Sequence, residues 1–61
     1  MEFKDYKELK DFVKNANDNC KSPEEFEKWC NDNAYKHNIK GETDLFGEPA
    51  YFDATELSLC I

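Results

Sequence analysis

The run Ser22-Pro23-Glu24-Glu25 constrains this chain more than any other stretch, because it fixes a helix start in the middle of the sequence. Ser22 is placed to accept a hydrogen bond as an N-cap. Pro23 suits the first helical position, where its missing N–H would have had no partner, and Glu25 can complete a capping box. Glu24, Glu25 and Glu27 then lie at the positive end of the helix dipole, with Lys36 and His37 near the negative end. Phe26, Trp29, Cys30, Asn33, Ala34 and His37 share one face at helical spacing. The spacing predicts a helix over 23–38, with Gly41 near its C-cap.

A helix that begins at Pro23 requires a break just before it, and the preceding residues supply one. Tyr6, Leu9, Val13, Ala16 and Cys20 recur at three and four positions, which predicts an amphipathic helix over 2–17. Asn17-Asp18-Asn19 then ends it, since these side chains compete with the backbone for hydrogen bonds. With so short a connection, the two helices are expected to form an antiparallel hairpin.

Past Gly41 the helical period stops. Gly47 and Pro49 punctuate residues 42–52, and Gly47-Glu48 can close a tight hairpin, although a proline beside the turn weakens a strand. Asp53 and Glu56 repeat the capping pattern and predict a short helix over 54–61, against the alternation of Thr55, Leu57, Leu59 and Ile61, which would suit a strand. The expected fold is therefore one mainly helical domain over 1–61. In it, an acidic C-terminal segment with a short third helix closes the hairpin of 2–17 and 23–38. An α+β fold with a C-terminal strand or hairpin is the alternative. Leu45, Phe46, Tyr51, Phe52, Leu57, Leu59 and Ile61 are the apolar side chains available to cover the hairpin, and their burial is expected.

With 61 residues, the chain can bury only about 60% of its unfolded surface, so each of its five Phe, three Tyr and one Trp matters. The formal net charge is −6, every basic residue is Lys, and Arg is absent. Such a balance argues against direct nucleic-acid binding, which leans on Arg and on positive charge. The abundance of Lys, Asn, Glu, Asp, Phe and Tyr, with no Arg or Gln, suits an AT-rich coding source such as a low-GC bacterium or a phage. No charged-then-apolar leader and no long apolar run occurs, which points away from secretion and from the membrane. An odd number of cysteines, Cys20, Cys30 and Cys60, suits reduced thiols in a cytoplasmic setting.

The chemistry-bearing residues are few. Cys20, Cys30, His37 and Cys60 lack the close spacings of a structural zinc site, so no metal is expected. His37 is the single histidine and reads as a packing or capping residue at a helix C-terminus, where the dipole would raise its pKa. Asn33, on the apolar face, needs a hydrogen-bond partner if buried. No phosphate loop, nucleophile elbow or paired histidines occur, and a chain this short has little room for an enclosed pocket, so neither an enzyme nor a cofactor is expected.

What stands out is the distribution of charge. Residues 1–40 hold nine acids and eight lysines, whereas 41–61 hold five acids and no base. The expected function is that of a small acidic protein-binding module, an adaptor or inhibitor, engaging a basic partner surface through Glu42, Asp44, Glu48, Tyr51, Asp53 and Glu56. Trp29 is a second candidate anchor. Two alternatives are a DNA mimic that blocks a nucleic-acid-binding protein, and a homodimer or structural subunit joined through Tyr35 and Ile39.

Overall fold

A computed structural model describes all 61 residues. The elements run β1 (Glu2–Phe3), α1 (Tyr6–Asp18), α2 (Pro23–Asn33), β2 (Asn38–Thr43), β3 (Pro49–Tyr51) and α3 (Ala54–Ser58). The strands form one mixed sheet in the order β1-β2-β3, with β1 parallel and β3 antiparallel to β2. The molecule is elongated, measuring 37 × 18 × 16 Å along its principal axes.

Both long helices start with the same device. Asp5 caps α1 by accepting from the Glu8 amide at 3.0 Å, and the Glu8 carboxylate accepts from the Lys4 amide at 2.8 Å. Ser22 caps α2 by accepting from the Glu25 amide at 3.2 Å, and the Glu25 carboxylate accepts from the Lys21 amide at 3.1 Å. In each case the cap side chain satisfies an amide of the first turn, and the glutamate reaches back to the amide of the residue before the cap, one position beyond the cap's own amide that a capping box would use. The third helix carries a full capping box between Asp53 and Glu56, so residues 54–58 are helical rather than extended.

The expectation of a mainly helical fold is overturned: three helices accompany a three-stranded sheet, and the α+β alternative describes the chain. The helix expected over 23–38 stops at Asn33. Ala34 turns out of helical geometry at ψ 137°, and Tyr35 adopts φ 62°, in the left-handed region. Strand pairing then takes the backbone. The Tyr35 amide donates to the Phe52 carbonyl at 2.7 Å, the Phe52 amide to the His37 carbonyl at 3.0 Å, and the Asn38 amide to the Met1 carbonyl at 3.0 Å. The N-terminal amine donates to the Lys36 carbonyl. Helical bonds forgone after Asn33 are thus replaced by sheet bonds on both sides. The same pairing draws Glu2 and Phe3 into β1, so the first helix begins at Tyr6 rather than at residue 2.

Gly41 is inside β2, not at a helix end. There the register slips, because Asn38 faces Tyr51 while Thr43 faces Pro49. The extra residues of β2 bulge out, and Gly41 takes φ 87°, a backbone state that side chains disfavour.

The core is assembled from nearly every element. Phe3, Leu9, Val13, Phe26, Cys30, Ile39, Leu57 and Cys60 are buried together, with Phe12, Cys20, Trp29, Phe52 and Ala54 half-buried around them. A chain of rings runs through it: Phe3 to Phe12 at 5.3 Å, Phe12 to Trp29 at 5.9 Å, and Trp29 stacked on Phe26 at 5.9 Å. Aromatic contacts of this kind add about 0.5–1.5 kcal/mol each beyond the area they bury. The tail covers this core less than the sequence suggests. Leu57 is buried and Phe52 half-buried, but Leu45, Phe46, Tyr51, Leu59 and Ile61 remain exposed.

Candidate functional site

The acidic third divides between a hairpin and a capped helix. In the hairpin, Asp44 organises the turn. Its carboxylate accepts from the Phe46 amide at 2.8 Å and the Glu48 amide at 3.1 Å, while its own amide donates to the Glu48 carbonyl at 2.8 Å. Gly47 closes the turn at φ 79°, and its amide donates to the Asp44 carbonyl at 3.2 Å. This geometry throws the two intervening side chains outward: Leu45 is 100% and Phe46 90% exposed. The expected burial of Leu45 and Phe46 is therefore wrong, because the turn that closes the hairpin also carries its tip away from the core.

Asp53 and Glu56 serve α3. Asp53 accepts from the Glu56 amide at 2.8 Å, and Glu56 accepts from the Asp53 amide at 3.3 Å. Three of the six expected site residues, Glu42, Tyr51 and Glu56, line one groove of about 610 Å³ between the start of α1 and the hairpin. Asp44, Glu48 and Asp53 lie outside its lining. Sequence reasoning missed its other walls, Lys4, Asp5 and Tyr6 from the N-terminal end and Ile39, Lys40, Ala50 and Phe52 from the sheet side. The groove therefore carries three carboxylates and two lysines beside its aromatic rings. Only the pairing of β1 with β2 brings residues 4–6 there, and no local pattern announces that pairing.

Tyr6 and Phe52 face each other in this groove with ring centroids 6.3 Å apart. The Cys60 thiol donates to the Glu56 carbonyl at 3.3 Å, which leaves its sulfur to accept from the Tyr6 hydroxyl at 3.7 Å. That bond to Cys60 is the main reason the tyrosine pKa rises above its ordinary value, with the charges of Cys60 and Glu56 and partial burial adding to it. Tyr6 is therefore a neutral aromatic wall. Lys10 sits over its ring at 5.8 Å.

Ion pairing is confined to the first two helices. Lys7–Asp11 and Lys28–Asp32, each at 3.2 Å and each one helical turn apart, are the chain's two salt bridges. None of the five acids in 41–61 has a cationic partner within the chain.

The remaining chemistry-bearing residues belong to the core. His37 is 5% exposed and packs between Phe3 at 5.7 Å and Phe12 at 5.2 Å. Asn33 donates to the Trp29 carbonyl at 2.8 Å, so its oxygen is the acceptor for His37 Nε2 at 3.2 Å. This fixes the neutral Nε2–H tautomer and leaves Nδ1 buried without a partner. The pKa of His37 is lowered rather than raised: burial leads, followed by the charges of the N-terminal amine and Lys36. The expected dipole effect is absent because the helix ends before His37 is reached. Cys30 is buried, and its burial pushes the thiol pKa up, reinforced by Cys20, Cys60 and Glu27. No three His, Cys, Asp or Glu side chains converge as a metal site would need.

Trp29 is half-buried against Phe12 and Phe26 rather than free as an anchor. Ile39, expected on a dimer-forming spot with Tyr35, lies in the chain's own core at 7% exposure, while Tyr35 stays exposed. No helix is long and apolar enough to cross a membrane. Comparison with known proteins gives no match to any family model, curated protein or solved structure.

Proposed function

We propose that this chain is a small acidic protein-binding module, an adaptor or inhibitor, that engages a basic partner surface through its C-terminal third. The observation that carries this reading is that residues 41–61 hold five acids and no lysine, and none of these acids pairs with a cation elsewhere in the chain. Carboxylates without an internal counter-ion leave this segment net negative toward an approaching lysine or arginine, and such fields speed encounter and fix orientation. Tyr51, 47% exposed on the groove wall beside Glu42 and Glu56, supplies an aromatic surface over which a cationic side chain can lie. The three free cysteines suit a cytoplasmic setting. The reading is one of recognition, without a catalytic step.

The test is the salt dependence of the complex. Raising ionic strength from about 0.01 M to about 0.15 M shortens the screening length from about 30 Å to about 8 Å. Association measured across that range should slow, and the combined variant Glu42→Gln, Glu48→Gln should flatten the dependence. Association that ignores both changes would overturn the reading.

A further inference from the structure

We infer that the hairpin tip is an apolar anchor: Leu45 and Phe46 enter a cleft on a partner protein whose floor is apolar and whose rim carries lysine or arginine. The inference rests on the reading above, that this third of the chain meets a basic partner, and adds what the partner must offer. Three observations carry it. First, the two side chains are 100% and 90% exposed although burial of large apolar side chains is the main stabilising term open to a chain this small. Second, they are held out by structure. Asp44 accepts from two amides across the turn, and Gly47 takes the left-handed state that closes it. An anchor held in place before contact loses little conformational freedom on binding. Third, Glu42, Asp44 and Glu48 flank the tip with no cation of their own, so the cleft that receives it must present positive charge at its edge.

Neither residue touches the core, so both can be changed without disturbing the fold. In the test, the full chain carries a photo-reactive phenylalanine analogue at position 46 and is irradiated in lysate at low salt. The cross-linked partner peptide is then sequenced. The expected product maps to a partner segment of apolar residues adjoining Lys or Arg. The variant Leu45→Ser, Phe46→Ser, with unchanged circular dichroism, should bind that partner more than about tenfold more weakly, as truncation of an anchoring residue does. The variant Glu42→Gln, Glu48→Gln should slow association and leave the cross-linked site unchanged. If the serine variant binds as the parent does while the glutamine variant binds weakly, the anchor is overturned and the acidic-surface reading stands. If no partner is cross-linked at position 46, the anchor is overturned, and the acidic-surface reading stands or falls separately on the salt dependence of association.

Discussion

Leu57 and Leu45 lie in the same acidic third of the chain, and one is 0% and the other 100% exposed. Composition does not separate them, since each has carboxylates close by in sequence. The difference comes from what the nearest aspartate does. Asp53 caps a helix, and a helix directs one face at whatever packs beneath it, here α2 and the core. Asp44 closes a turn, and a turn directs its middle residues away from both strands. Apolar residues beside a cap are therefore folded into the molecule, and apolar residues inside a turn are presented to what lies outside it. One end of this third stabilises the fold, and the other is available for recognition.

The sharpest way to break that division is to truncate both leucines. Leu57→Ala removes a fully buried side chain from a core of eight residues and should cost about 2–5 kcal/mol. In a chain whose total stability is of the same order, that is enough to unfold much of the population. Leu45→Ala should stay within about 0.5 kcal/mol. Urea unfolding followed by Trp29 fluorescence measures both. Comparable losses would mean that the hairpin tip packs where this structure leaves it free.

The second prediction concerns the core side and acidity. The unfolded histidine titrates at about pH 6.5. Folded His37 titrates below its ordinary value, because burial, the N-terminal amine and Lys36 all disfavour the cation, and Nδ1 has no acceptor to receive a proton's hydrogen bond. Above about 6.5 both states are neutral, and the contribution to stability is complete. As pH falls below that value, the unfolded chain takes up a proton that the folded chain refuses, so stability drops until the folded pKa is passed. Unfolding midpoints measured from about pH 7.5 to about pH 5.5 should fall in the parent, and this slope should vanish in His37→Leu. A slope that persists in the variant would assign it to another group.

Much of the local structure was legible, and the reason for the failures is visible in one repeated tripeptide. Asn17-Asp18-Asn19 predicts a helix terminus, and α1 indeed ends at Asp18. Asn31-Asp32-Asn33 is the same tripeptide, and α2 ends at Asn33, yet the apolar spacing of Ala34 and His37 carried the expected helix past it. The period was real as a sequence pattern, but His37 reaches the core from the strand side of a chain reversal. What decided the matter was pairing with Met1–Phe3 and with Pro49–Phe52, contacts distant in sequence that no local window contains. The caps at Ser22 and Asp53 were legible because each is closed within a few residues. In the candidate site the acids were found from composition, and the groove that joins Glu42, Tyr51 and Glu56 to Tyr6 was not, since it exists only once β1 has paired.

The smallest effect tests the two aspartates directly. Asp53→Ala removes an N-cap and half of a capping box, at a cost of about 1 kcal/mol. Because α3 carries Leu57 into the core, that cost should lower the global unfolding midpoint. Asp44→Ala also removes two hydrogen bonds to a carboxylate, but from a turn whose leucine and phenylalanine lie outside the core. Its effect should be local: hydrogen exchange at the Phe46 and Glu48 amides speeds up, while the global midpoint moves less than in Asp53→Ala. Asp44→Asn keeps an oxygen able to accept from the same amides, so their protection should largely survive. If Asp44→Ala lowers the global midpoint as far as Asp53→Ala, the turn and the core unfold as one unit. The tip would then be part of what stabilises the fold, and its exposed leucine and phenylalanine would no longer be free of it.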